Sequence, residues 1–267
     1  MKPLLGFLLL VCLSAPVFAQ SARPDALEDV GIDQRLDQQV PLDLPFRDEA
    51  GKTVKLGDYF DNKPVILTLV YYECPMLCTY TLNGLVRSMQ VLPFDVGRQY
   101  RVVTVSFNPQ EGPALAAAKK REYLTHYSRS GGADGWHFLT GDASSIGKLA
   151  DAVGFRYHYD AETRQYAHAA GLVVLTPQGK IARYFYGVEF SPRDLRLALD
   201  EASAGRIGSP VDEVLLFCFH YDPATGKYGL LITRIVQIAG IGTVLAIGLL
   251  IGWMLRRERA AKQGAAS

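Results

Sequence analysis

The chain has 267 residues, 49% of them hydrophobic, with 28 Lys and Arg against 27 Asp and Glu. A net charge of +1 supplies no bulk field for nucleic acid or a strongly charged partner, so function must come from particular sites. Four cysteines are too few for a scaffold built on disulfides.

The N-terminus reads Met1-Lys2-Pro3, then an apolar run from Leu4 to Leu13, then small residues up to Ala19. A charged start, an apolar stretch and a small-residue cleavage site describe a signal peptide over 1–19. Cys12 lies inside that run and is discarded with it, because Val11 before it is not the small residue a lipoprotein site needs. Residues 20–39 are polar and read as a linker or an arm packed on the following domain, which spans 40–205.

That domain opens with a hairpin over 42–56, whose turn is Asp48-Glu49-Ala50-Gly51-Lys52. Residues 65–70, VILTLV, are a buried strand, and Pro75 signals a helix start soon after it. Cys74 and Cys78 stand at this junction. At a helix N-terminus the unpaired N–H groups and the macrodipole favour a thiolate at Cys74. Helical spacing puts Cα atoms four apart at about 6.2 Å, within reach of a disulfide or of one shared metal ion.

A second buried strand follows at 100–107, then a helix at 113–127 with Pro113 near N1. A short strand at 136–139 leads to a helix at 142–153 capped by Asp142, and 155–159 reads as a further strand. Residues 171–175 and 181–186 form a hairpin about Pro177-Gln178-Gly179, and Ser191-Pro192 caps a last helix running to about 204. Strands alternating with helices give an α/β sandwich, and this order is that of a thioredoxin-like domain. Beyond the juxtamembrane stretch 206–234, residues 235–254 carry no charge and would span about 30 Å as a transmembrane helix. The tail 255–267 holds Arg256, Arg257, Arg259 and Lys262, which keep it cytoplasmic. Together with the signal peptide, this describes a single-pass protein of the plasma (inner) membrane whose soluble domain faces the periplasm.

On these residues the chain resembles the Sco/SenC family, copper-binding proteins of thioredoxin fold that assist cytochrome c oxidase assembly. The likeness covers 40–204 and rests on Pro45-Phe46 and Gly51, on Cys74-Pro75 with Cys78, on Leu139-Thr140-Gly141, and on His168 ahead of the 177–179 turn. It implies that Cys74, Cys78 and His168 bind a copper ion, Cu(I) or Cu(II), and soft thiolates with an imidazole suit both states. It further implies as partners the oxidase subunit carrying the dinuclear copper site and a periplasmic thiol reductant or copper donor. Met76 and Asn108 stand where the family often has Asp, and Ala169 where it often has Ser.

Two other readings of the cysteine pair remain. In a thiol–disulfide oxidoreductase Cys74 would attack and Cys78 resolve. The spacing is one residue longer than Cys-x-x-Cys, and 166–171 lacks the Pro such enzymes carry. In an inert staple the closed loop would be too short to stabilise much. His126, His137 and His158 read as surface or core residues. In 215–223 an extended chain would put Cys218 and His220 on one face, either a second, weaker copper site or part of an aromatic segment at the bilayer interface.

Overall fold

The computed structural model describes residues 30–207, 221–222, 227–228 and 230–264. The expected signal peptide and the pair Cys218 and His220 lie outside the described residues. The chain divides into two units, residues 1–206 and 207–267.

The centre of the first unit is strand β4 (Val65–Val70), every residue of which is buried. In chain order it is preceded by β1 (Gly31–Ile32), β2 (Pro45–Arg47) and β3 (Thr53–Lys55). It is followed by α1 (Leu77–Val91), β5 (Arg101–Ser106), α2 (Pro113–Tyr127), the single turn α3 (Gly132–Gly135), β6 (Trp136–Leu139) and α4 (Ala143–Ala152). Then come β7 (Phe155–Asp160), β8 (Gln165–His168), β9 (Gly171–Leu175), β10 (Ile181–Tyr186) and α5 (Pro192–Ser203). Five strands form one sheet in the order β10-β9-β4-β5-β6. The β4–β5 and β5–β6 pairs are parallel, while β9 runs antiparallel to β4. β4 and β9 are buried along their whole length, which is why their sequences are continuous apolar runs rather than alternating ones. Helix α1 packs against α2 and α5, α2 against β6, and α5 against β9 and β10. The result is the thioredoxin-like α/β sandwich expected from the order of elements.

Local chemistry sets several boundaries. Pro113 and Pro192 occupy first-turn positions of α2 and α5. Asp142 accepts a hydrogen bond from Ser145 N and Ser191 one from Asp194 N, so each caps its helix. The β2–β3 hairpin is joined to the end of β6 by a bridge between Arg47 and Thr140. Glu49 in its turn reaches Lys120 of α2 and His137 of β6. Burial opposes ionisation of Glu49, but hydrogen bonds from His137 and Lys120 more than offset it and bring its pKa to about 2. His137, half stacked on Tyr59 with ring centroids 4.4 Å apart, thus belongs to a structural contact.

A second sheet was not foreseen from the sequence: β1, β7 and β8 pair antiparallel in the order β1-β7-β8. The N-terminal arm therefore packs on the domain, with Gly31 opposite Arg156 and Ile32 opposite Phe155. On the other edge of β7, Tyr157 faces His168. In the second unit, a hairpin of β11 (Tyr221–Asp222) and β12 (Lys227–Tyr228) precedes the 35-residue helix α6 (Leu230–Gly264). Within α6, Gln237–Met254 is long and apolar enough to cross a membrane. Just beyond that stretch, the Arg257 guanidinium lies 4.5 Å from the centre of the Trp253 ring.

Candidate metal centre

Helix α1 begins at Leu77, with Met76 as its N-cap, two residues later than Pro75 suggests. Cys74 therefore precedes the helix, while Cys78 is its second residue. The electrostatic consequence expected of a helix start is still present. The backbone N–H of Cys78, a first-turn donor with no partner inside the helix, points at Cys74 Sγ at 3.3 Å. Both cysteines are free thiols, Cys74 half-buried and Cys78 buried.

His168 is delivered from far away in sequence by the β7–β8 hairpin. Its Nε2 lies 3.3 Å from Cys78 Sγ across 90 residues of chain. Its Nδ1 lies 2.9 Å from the carbonyl oxygen of Ala169. A carbonyl only accepts, so Nδ1 carries the proton and the Nε2 lone pair faces the sulfurs. Tyr71 N–H donates to Cys78 Sγ at 3.3 Å. One ligand atom from each of Cys74, Cys78 and His168 lies within 4.8 Å of the other two. Two thiols and an imidazole Nε2 converging this closely could hold a soft or borderline metal ion with little rearrangement, and the donor set suits copper.

The surroundings are apolar on the imidazole side. The rings of Phe107, Tyr71 and Phe155 lie with centroids 5.2, 5.8 and 6.3 Å from that of His168. Tyr166 packs on Tyr71 and Phe107 in turn. The two thiols are driven apart in acidity. A hydrogen bond from the Cys78 thiol, with help from the backbone N–H groups of Cys78 and Met76, outweighs burial and holds Cys74 down at about 3. Burial and the neighbouring Cys74 sulfur push Cys78 well above the ordinary thiol range.

All three residues singled out in the sequence thus meet at one place. Sequence reading missed the carboxylate behind them. Glu111, in the turn between β5 and α2, is buried and accepts backbone hydrogen bonds from Tyr72 and Glu73, the residues leading into Cys74. Its local signal, Asn108-Pro109-Gln110-Glu111-Gly112, is that of an ordinary polar turn. Met76 is 60% exposed, so it points away from the packed interior. Among the described residues there is no cis peptide, consistent with the missing Pro ahead of β9.

Solved structures share this fold. A protein from Aquifex aeolicus VF5 proposed to act in electron transfer is 25% identical, with 64% of this chain and 96% of that one covered at a TM-score of 0.57. A SCO1/SenC family lipoprotein from Bacillus anthracis str. Ames is 14% identical, with 65% and 99% covered at a TM-score of 0.52. No curated protein matches the chain in sequence. The model of the SCO1/SenC family matches residues 33–202, well over half the chain and all of the region that builds the thiol–imidazole cluster, and the chain belongs to that family.

Proposed function

We propose that the chain is a membrane-anchored copper-binding factor for the assembly of cytochrome c oxidase, with Cys74, Cys78 and His168 as its copper ligands. The observation that carries this reading is the convergence of those three ligand atoms within 4.8 Å. Copper is here cargo rather than a resident cofactor. The thiolates select Cu(I), and the added imidazole makes Cu(II) acceptable as well. The hydrogen bond from Nδ1 to Ala169 holds the imidazole in the ligating tautomer, and the rings around it limit water on that side. Because Cys74 is ionised at neutral pH, metal entry needs to displace only the Cys78 proton.

In this reading residues 1–19 are removed as a signal peptide, 235–254 of α6 cross the plasma membrane once, and the basic tail stays in the cytoplasm. The domain of 40–205 then works in the periplasm beside its client, the oxidase subunit with the dinuclear copper site. A periplasmic reductant would keep Cys74 and Cys78 as thiols, since only thiolates bind the metal.

The test is metal stoichiometry on the reduced full chain in detergent, beside His168→Ala. One tightly bound copper per chain is expected, with Cu(II) affinity falling about ten- to a hundredfold or more in the variant. No binding, or binding indifferent to His168, would shift the weight to a second reading, thiol–disulfide exchange. The acidity difference between the two thiols favours that reading, since an ionised Cys74 is suited to attack and a protonated Cys78 to resolve. It requires reduction of a client disulfide by the metal-free protein.

A further inference from the structure

Glu111 is 7% exposed, and a carboxylate is costly to bury unless it is hydrogen bonded on several sides. Its Oε2 accepts from Tyr72 N at 2.8 Å and from Ser106 Oγ at 2.5 Å. Its Oε1 accepts from Glu73 N at 2.9 Å. Two successive peptide N–H groups facing the same way need two adjacent acceptors. A carboxylate offers two oxygens, a glutamine only one, and its amide nitrogen would confront a second donor.

The turn that carries Glu111 is braced internally. Asn108 N–H donates to Ser106 Oγ at 3.1 Å, Gln110 N–H to Asn108 Oδ1 at 3.0 Å, and Glu111 N–H to the Asn108 carbonyl at 3.1 Å. The same Asn108 Oδ1 accepts a hydrogen bond from Tyr166 Oη at 3.3 Å, and Tyr166 stands two residues before His168 on β8. One short turn therefore holds both segments of the cluster, the loop into Cys74 through Glu111 and the strand into His168 through Asn108.

We propose that the turn 106–111 is a yoke that sets the spacing between the thiols and the imidazole, with Glu111 and Asn108 as its positioning residues. The proposal rests on the copper reading above. It separates the two arms of the site: Glu111 governs the cysteine loop, hence Cu(I) binding and the thiol–disulfide equilibrium, whereas Asn108 acts through Tyr166 on His168, hence on Cu(II). A turn whose only role was to close the fold would not divide the two oxidation states in this way.

Two variants of the full chain test it. Tyr166→Phe keeps the ring that packs on Tyr71 and Phe107 and removes only the hydroxyl. It should weaken Cu(II) about tenfold and shift the Cu(II) absorption and EPR spectra, with Cu(I) affinity unchanged. Glu111→Gln should speed hydrogen exchange at the Tyr72 and Glu73 amides at least tenfold and change the equilibrium constant of the Cys74–Cys78 couple against a dithiothreitol buffer. Both of these readouts use metal-free protein. They remain informative if the chain binds no copper, an outcome that would sink the copper reading alone. Glu111→Gln with unaltered exchange and thiol equilibrium, or Tyr166→Phe with Cu(I) and Cu(II) affected alike, overturns the yoke.

Discussion

At the scale of single residues, the pair Cys74 and Cys78 shows how environment divides identical groups. Four residues apart, one sulfur accepts from the other thiol and from a first-turn N–H of α1 at 3.3 Å, while the other is buried at the root of the same turn. The acidity follows: Cys74 is held at about 3 and Cys78 is raised. In the reduced, metal-free protein the iodoacetamide reaction at Cys74 should therefore be nearly independent of pH from about 5 to 9, because the thiolate fraction no longer changes there. Cys78 should react far more slowly over the same range. Peptide mapping of the alkylated protein reads both rates. A Cys74 rate that climbs about tenfold per pH unit up to the ordinary thiol pKa would contradict the assignment.

At the scale of elements, α1 must lie close to the chain after β10, and Gly84 is the residue that allows it. A Cβ at Gly84 would stand 1.8 Å from the backbone carbonyl oxygen of Val188. On the same side Ser88 Oγ donates to the carbonyl of Phe190, and Arg87 pairs with Glu189 at 2.5 Å. Replacing a helical Gly by Ala favours the helix by about 1 kcal/mol, whereas overpacking against fixed backbone costs about 1–3 kcal/mol. The second effect should win, because the atom in the way is main chain and cannot rotate aside. Gly84→Ala is thus expected to lower stability by up to about 2 kcal/mol in urea unfolding, and a more stable variant would show that this contact yields easily. The elements that could be read from sequence were those fixed by local chemistry: the apolar run of β4, Pro113 and Pro192 in first turns, Asp142 and Ser191 as caps. β1 and β8 escaped because two and four residues of mixed polarity carry no period. Only their pairing with β7 defines them, and that pairing is non-local. The ligand types at Cys74, Cys78 and His168 were legible, but the route that brings His168 in and the Glu111 support behind the cysteine loop were not.

At the scale of the whole molecule, the proposed function separates copper binding at the candidate site from copper delivery to a client. Cys74, Cys78, His168, Glu111 and Asn108 all belong to the unit ending at Arg206, whereas α6 belongs to the other unit. The three ligand residues of the cluster all lie in the first unit, so the role proposed for the anchor is one of concentration. A tether that keeps two proteins in one membrane raises their effective concentration into a range that free components at micromolar levels do not reach, a gain of about a hundredfold or more. The full chain and a form ending before 207 should accordingly take up copper with the same stoichiometry and affinity. They should differ in delivery: in vesicles carrying the oxidase subunit with its dinuclear copper site, the anchored form should complete that site about a hundredfold faster at equal low protein concentration. Adding the released form in large excess should close the gap. Equal rates at low concentration would mean that recognition of the client, rather than confinement beside it, controls delivery, and α6 would need another explanation.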